Sequence, residues 1–311
     1  MKKKTIIKIA KYTVILLIFF FIVKYFYENL NTVKFCELHF NYFYLLISVF
    51  IYLLHIFVNV LVLYIITKQN NCSIGFFESI KVRVYSDFGK YIPGKIFAYG
   101  ILFYSYDQKS ISKKKIAVCS FQELIIGTLA TIIIALVSIY LSDFDMLRRY
   151  NVYFLAMAIM CIVMIHPGIL SFVANKLLKL FKREPISITT NYGQIFLVLI
   201  LFIISWLIFG LGFYFFINSF YEYSFSYYFF TTGAFAIAGL IGVIAVFAPS
   251  GLGVREGVLV FLLKYIFTNA IAALISLISR LWMIICELLF LFFIIIMNSL
   301  FKKIFSRQAP K

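Results

Sequence analysis

Long, uninterrupted runs of apolar residues alternate with short polar stretches along most of the chain. A helix needs about 20 apolar residues to cross roughly 30 Å of hydrocarbon, whereas a β-barrel strand would alternate apolar and polar positions. The pattern therefore predicts an all-α, polytopic integral membrane protein with about eight transmembrane helices. The runs, of which the seventh is short, lie at approximately 12–27, 40–67, 116–141, 150–166, 193–219, 227–248, 254–268 and 270–300.

The composition excludes a soluble fold. Of the 311 residues, 64% are hydrophobic and only 13% are charged, whereas a soluble domain needs about 25% charged residues to cover its surface. Lipid must therefore face most of this protein, which excludes a soluble enzyme, a nucleic-acid-binding module, a collagen-like chain and a disordered chain. We expect one integral membrane domain over residues 1–311, with possible pseudo-repeat halves at about 1–150 and 151–311, and no soluble domain.

The net charge of +17 is distributed unevenly between the ends of the apolar runs. With the N-terminus inside, 22 of the 29 basic residues fall in the two terminal tails and in residues 68–115 and 167–191. Because basic residues are retained on the cytoplasmic side of a membrane, we predict a multi-pass protein of the inner (cytoplasmic) cell membrane with both termini in the cytoplasm. Arg255 and Arg280 lie inside apolar stretches instead.

Two segments interrupt the apolar pattern with proline and glycine. The first covers residues 89–95 and the second residues 248–257, about half a chain length apart. We predict re-entrant or broken helices at Pro93-Gly94 and Pro249–Gly253, because proline removes a backbone donor and glycine permits unwound backbone. Paired breaks in corresponding halves of a membrane protein indicate a transporter's binding site.

The first break has an amphipathic helix on one side and a short apolar piece on the other. The helix is predicted over 74–90, and the apolar piece over 96–106 is too short to span a membrane. Since both flanks are basic, we expect this piece to dip into the membrane and return, or to lie in the interface. Lys95, beside the break, would attract lipid headgroups at the cytoplasmic mouth.

The second break offers a site for an anion. A helix should restart near Val254, and its N–H groups, approached closely through Gly251 and Gly253, suit a phosphate. Arg255 adds a forked donor for phosphate oxygens, and Glu256 would neutralise or orient that arginine. The alternative is a tight turn between two helices, in which Arg255 reaches the cytoplasmic interface and pairs with Glu256.

A small number of other ionisable residues lie within the apolar runs. Glu123 lies about one turn into the third run, and Arg280 and Glu287 share a face of the last run about 10 Å apart, where both can line one cavity. The alternative is a structural ion pair between Arg280 and either Glu123 or Glu287. His55 is expected to pack as an amphipathic residue rather than to relay protons.

Motifs for covalent chemistry are missing from the sequence. It contains no nucleotide-binding P-loop, no HExxH, no GxSxG and no cluster of cysteine and histidine. We therefore expect no catalytic residues, no metal site and no cofactor. Asp143 and Asp145 form an acidic pair on an outer loop, which leaves a membrane-embedded transferase as a minor alternative.

Residues 89–95 and 249–257 resemble the two signature stretches of the lysylphosphatidylglycerol synthase transmembrane-region family. This is the flippase-like membrane domain of multiple peptide resistance factors, and it also occurs as standalone proteins. Glu123 and Arg280 fall where that family places them, but Leu124 stands where the family often has an arginine. The resemblance implies a multi-span helical fold with re-entrant elements, and lipid binding or translocation as the activity.

The resemblance also bears on enzymatic activity. In the two-part members of the family, a cytosolic domain transfers an amino acid to phosphatidylglycerol. This sequence ends at Lys311, just after the last apolar run, so we expect the standalone form without that transfer activity.

We therefore hypothesise a flippase for the anionic headgroup of a phospholipid or lipid-linked glycan. Glu123 and Glu287 would couple or balance charge, and no nucleic acid is expected to bind. The alternative function is a non-transporting membrane scaffold for a separate synthase or glycosyltransferase. The predicted headgroup-binding residues are Lys95, Gly251, Gly253, Val254, Arg255, Glu256 and Arg280.

Overall fold

The protein is all-helical wherever its structure is described. A computed structural model describes residues 39–89, 96–141, 151–166, 168–169, 171–172, 175–176, 191–245 and 251–306. The predicted span at 12–27 and the break at Pro93-Gly94 lie outside these residues. The helices are α1 Tyr42–Gln69, α2 Phe76–Phe88, α3 Ile96–Asp107, α4 Lys113–Leu141, α5 Asn151–Ile165, α6 Tyr192–Asn218, α7 Tyr228–Ile244, α8 Val254–Leu263 and α9 Asn269–Ser306, with a 3-10 turn at Phe225–Tyr227.

Five helical stretches of the described residues are long and apolar enough to cross a membrane, so the chain is a multi-pass membrane protein. The expected span at 254–268 is different in the structure. Helix α8 has 10 residues and is about 15 Å long, half of the hydrocarbon thickness. The five stretches are Tyr42–Gln69, Lys113–Leu141, Tyr192–Asn218, Phe225–Ile244 and Asn269–Met297.

Helices α1 and α6 lie antiparallel at the centre of the fold. At one end the Asn41 amide donates to the Ser219 carbonyl oxygen at 2.7 Å, and at the other Gln69 Nε2 donates to the Gln194 carbonyl oxygen at 3.5 Å. We call these the Asn41 end and the Gln69 end of the protein. Each helix begins at an asparagine, Asn41 or Asn191, whose side chain accepts a first-turn amide that would otherwise lack a partner.

Two short-helix hairpins enter the fold from opposite ends. In the first hairpin, α2 begins and α3 ends at the Gln69 end, where Glu78 and Lys109 form a 2.8 Å ion pair. Deeper in the fold, Ser86 Oγ donates to the Ala98 carbonyl oxygen at 2.7 Å. In the second hairpin, α7 begins and α8 ends at the Asn41 end, where the rings of Tyr223 and Phe267 pack at 5.4 Å. Each hairpin is followed by a long helix, α4 or α9.

An aromatic core connects the central helices to the second hairpin and α9. The rings of Phe209 and Phe235 lie 4.5 Å apart, and Phe216 stacks on Trp282 at 4.8 Å. Such rings supply large contact areas between helices. On the other side of the second hairpin, Gly233 of α7 packs directly against the Ser138 side chain of α4. Small residues allow this close helix approach inside lipid. The core therefore holds the second hairpin against α4, α6 and α9.

Candidate functional site

The tip of the second hairpin is built from glycines that other residues cannot replace. Gly251 and Gly253 have φ angles of +68° and +83°, in the left-handed region. A Cβ atom added to Gly251 would lie 2.9 Å from the Cα of Gly242 on α7. The predicted break is therefore confirmed at these glycines, while Pro249 and Ser250 lie outside the described residues.

Glu256 joins the start of α8 to two arginines. Its Oε2 accepts the Gly253 amide at 2.7 Å, and its Oε1 lies 2.6 Å from Arg280 Nη1 and 3.2 Å from Arg255 Nη2. We call Arg255, Glu256 and Arg280 the arginine–glutamate cluster. The exposed fractions of these three side chains are 10%, 3% and 14%. The cluster carries one more positive than negative charge.

The arginine–glutamate cluster lies near the middle of the membrane-spanning helices. Helix α9 begins at Asn269 beside the Asn41 end, and Arg280 is about 16 Å further along the helix axis. Arg255 packs on the Phe235 ring, 5.1 Å from its centroid. Arg255 does pair with Glu256, as the tight-turn alternative requires, but it is held in the interior rather than reaching an interface.

The alternative ion pairs considered for Arg280 do not match its contact in the structure. Arg280 binds Glu256, which is 24 residues earlier in the chain, and Glu123 binds Arg83. The chain reverses direction between α8 and α9, and this reversal brings Arg280 of α9 beside the start of α8. Glu287 is two turns beyond Arg280 and lines a cavity, whereas Arg280 is not among the residues that line it.

A cavity of about 300 Å³ lies between α1, α2 and α9. The hydroxyl of Tyr52 donates to Glu287 Oε1 at 3.3 Å within it. Arg255 Nη1 lies 3.4 Å from the sulfur of Met283, which also forms part of the wall, so the arginine–glutamate cluster borders the cavity. The lining residues are Tyr52, His55, Ile56, Asn59, Arg83, Val84, Asp87, Phe88, Met283, Glu287 and Phe290.

Arg83 is a site residue that sequence reasoning missed. Its Nε donates to Asp87 Oδ2 at 3.1 Å, and its Nη1 donates to Glu123 Oε1. We call Arg83, Asp87 and Glu123 the arginine–acid triad, which carries one more negative than positive charge. In the sequence, Arg83 is one of the basic residues of the stretch 68–115, which is predicted to be cytoplasmic. The i, i+4 spacing to Asp87 in an amphipathic helix was the available signal.

A second missed feature is a polar network where α1 crosses α6. His55 Nδ1 lies 2.9 Å from both the carbonyl oxygen and the Oγ of Ser205, and Asn59 Nδ2 lies 3.2 Å from His55 Nε2. His55 and Asn59 also line the cavity. His55 therefore combines packing against α6 with a polar position on the cavity wall.

The structure brings together most, but not all, of the predicted site residues. Gly251 and Gly253 adjoin the arginine–glutamate cluster, and Val254 begins α8 beside it. Glu123 belongs to the separate arginine–acid triad, and Lys95 lies outside the described residues. Within the described part of the chain, no three side chains of His, Cys, Asp or Glu come together in a way that suits a metal ion.

Comparison with protein families matches most of the chain. The family model described as the lysylphosphatidylglycerol synthase TM region matches residues 8–290. This range contains both hairpins, the arginine–glutamate cluster and the cavity. No curated protein and no solved structure gave a significant match.

Proposed function

Because the chain belongs to the lysylphosphatidylglycerol synthase transmembrane-region family, we propose that it is a lipid translocase for an anionic phospholipid or lipid-linked glycan. The family supports a membrane role that involves lipid. The observation that carries the more specific proposal is the cavity of about 300 Å³ with charged and polar walls, halfway along apolar helices. A headgroup requires such a passage because hydrocarbon does not solvate a phosphate.

The arginine–glutamate cluster is the part of the site that suits a phosphate. Arg255 and Arg280 share one carboxylate, so a phosphate can bind one guanidinium while Glu256 keeps the other. Charge-assisted hydrogen bonds of this kind are strong where water is scarce. A phosphate that also replaced Glu256 at the Gly253 amide would meet the N-terminus of α8, where the helix dipole favours an anion.

The order of the helices supports alternating access to the cavity. We interpret α1 to α4 and α6 to α9 as inverted repeats, each consisting of a long helix, a short-helix hairpin and a second long helix. Transporters built from inverted repeats bind substrate near the membrane midplane, where broken helices meet. Movement of one hairpin at a time would open the cavity first to one leaflet and then to the other.

The basic residues support an orientation for this translocase. Lys109, Lys113, Lys114 and Lys115 lie near the Gln69 end, beside the turn between α3 and α4. We place this end and both termini in the cytoplasm of a cell-membrane protein, because basic residues are retained there and attract anionic lipid.

Reconstitution of the purified protein into liposomes tests the translocase proposal. The probe is phosphatidylglycerol with a fluorescent headgroup label, and dithionite quenching measures its transfer between leaflets. We expect transfer by the wild-type protein and a loss of about 10- to 100-fold in Arg280→Ala, since a hydrogen bond to a charged group contributes about 1.5–3 kcal/mol. Lys109→Ala is the matched control, because Lys109 is a partly exposed cation in a peripheral ion pair.

Two outcomes would contradict the translocase. One is equal transfer in wild-type protein and Arg280→Ala at matched amounts of folded protein. The other is no transfer by the wild-type protein together with its co-purification in a stable complex with a synthase or glycosyltransferase. That second outcome would favour the scaffold function instead.

A further inference from the structure

The network of His55, Asn59 and Ser205 takes no part in the phosphate binding proposed above, yet it lies on the same cavity. Asn59 Nδ2 is 3.0 Å from Ser205 Oγ and 2.9 Å from the His55 carbonyl oxygen, in addition to its contact with the imidazole. His55 is half-buried and lies at the middle of α1, where this helix crosses the middle of α6. A proton that enters the cavity can therefore reach the central helix crossing.

One tautomer of His55 fits the partners of the imidazole. With its hydrogen on Nδ1, the ring donates to the Ser205 carbonyl oxygen, which can only accept, while Ser205 Oγ accepts from Asn59 Nδ2. In that tautomer Nε2 holds a lone pair 3.2 Å from the Asn59 amide nitrogen. Nε2 of this tautomer is the position that can accept a proton.

The charged groups around His55 come from three helices. On α1, the Tyr52 ring lies 5.5 Å from the imidazole and its hydroxyl donates to Glu287 of α9. On α2, Asp87 and Arg83 line the same cavity and are bound to each other. The described contacts from α6 are polar or aromatic and come from Ser205 and Phe209. Glu287 and Asp87 bring negative charge to the cavity wall, and Arg83 brings positive charge.

We propose that His55 Nε2 is a proton-binding site that couples lipid movement to a proton gradient, an inference that rests on the translocase function. Protonation turns Nε2 into a donor facing the Asn59 donor, which breaks their contact and weakens the α1–α6 crossing. It also adds a positive charge to the cavity that receives the phosphate. Proton binding and phosphate binding therefore strengthen each other.

The coupling predicts the direction in which a pH gradient moves the lipid. The imidazole takes its proton from water on the more acidic side, and the proton leaves with the phosphate on the more alkaline side. A pH gradient should then drive an anionic lipid toward the alkaline leaflet. The headgroup enters the membrane interior with its charge partly compensated, which lowers the cost of crossing.

Proton uptake on lipid binding tests the site without any transport. Short-chain phosphatidylglycerol is added to the detergent-solubilised protein in weak buffer near pH 7, with a pH-sensitive dye as the reporter. We expect wild-type protein to take up a fraction of a proton, up to about one, per lipid bound. His55→Gln should bind lipid without this uptake. His166→Gln should behave as wild type, since His166 is an exposed imidazole at the end of α5.

Transport with and without a pH gradient separates the failure of this proposal from that of the translocase. In liposomes with an alkaline lumen, labelled phosphatidylglycerol should accumulate in the inner leaflet with wild-type protein, but not with His55→Gln. Lipid transfer that ignores the gradient, with no proton uptake in solution, would overturn the proton site and leave the translocase standing. No lipid transfer under any condition would overturn both. The wild-type arms decide whether lipid movement is coupled to protons even if His55→Gln fails to fold, because a lack of both proton uptake and gradient dependence overturns the proton site.

Discussion

The two hairpins enter the fold from opposite ends and carry their charged residues in different places. The first hairpin carries its charges along an amphipathic helix, and Arg83 meets two acids, one from α2 and one from α4. The second hairpin is almost entirely apolar until its tip, where Arg255 and Arg280 share Glu256. The arginine–acid triad is therefore net negative and the arginine–glutamate cluster is net positive, so the anion should bind at the tip of the second hairpin.

The hairpins also differ in their access to water. In the first hairpin Arg83 and Glu123 expose 20% and 15% of their side chains, and Asp87 exposes 34%. In the second hairpin Glu256 exposes 3%. The cavity is therefore more open to water beside the first hairpin than beside the second. Movement of the first hairpin would then cost less than movement of the second, because its charges are already partly hydrated.

The largest expected difference between the hairpins is in their tolerance of side chains at glycine. Gly251→Leu should destabilise the protein by about 3–5 kcal/mol, since the new Cβ meets backbone and the φ angle is left-handed. Gly100→Ala in α3 of the first hairpin should stabilise it by about 0.5–1 kcal/mol, because that position is helical and open. Thermal unfolding in detergent measures both, and equal effects would contradict the tight second tip.

A matched pair of carboxamide substitutions compares the two charge groups. Glu256→Gln leaves two buried guanidiniums without a counter-charge and should cost about 3 kcal/mol. Glu123→Gln should cost less, about 1 kcal/mol, because Arg83 keeps Asp87 and the group is partly hydrated. Chemical unfolding followed by circular dichroism checks the order. A larger loss in Glu123→Gln would show that the first hairpin holds the more buried charges.

A smaller effect than the losses in Gly251→Leu and Glu256→Gln is expected from a pair of thiols beside the first hairpin. Cys72, in the turn after α1, and Cys119 of α4 have sulfur atoms 3.3 Å apart. The hydrogen bond with Cys119 lowers the pKa of the Cys72 thiol, which favours the reactive thiolate. A disulfide formed with copper-phenanthroline should add about 2 kcal/mol of stability.

Maleimide counting of free thiols and thermal unfolding, before and after oxidation, measure that effect. Cys72→Ser should show neither the loss of thiols nor the shift in unfolding temperature. A wild-type protein that keeps both thiols under oxidant would mean that α4 and the turn after α1 are held further apart than described here.

Local features of the fold could be predicted from the sequence, whereas the pairing of distant residues could not. Proline and glycine indicated the second break, and the short run over 96–106 indicated a hairpin helix, because both signals act on the local backbone. Hydropathy could not distinguish α8 from a full span, because the apolar run 254–268 continues past the residue at which the helix ends. The number of residues in the helix decides this, and the structure gives 10.

The same limit applies to the candidate site. Arg255 and Glu256 are adjacent in sequence, so their pairing was foreseeable. Arg83 and Glu123 are 40 residues apart, and they meet only because the first hairpin returns beside α4. His55 and Ser205 are 150 residues apart, and their contact depends on where two long apolar helices cross. Such contacts follow from packing of the whole chain, which apolar periodicity does not specify.

An experimental structure of the protein in nanodiscs of its native lipids would test the central claim most directly. We expect density for a lipid phosphate within hydrogen-bonding distance of Arg255 or Arg280, with the headgroup extending into the cavity toward Glu287. Mass spectrometry of the co-purified lipid would identify it. Lipid density confined to the two ends of the helices, with the cavity filled only by side chains or water, would contradict headgroup binding at the arginine–glutamate cluster.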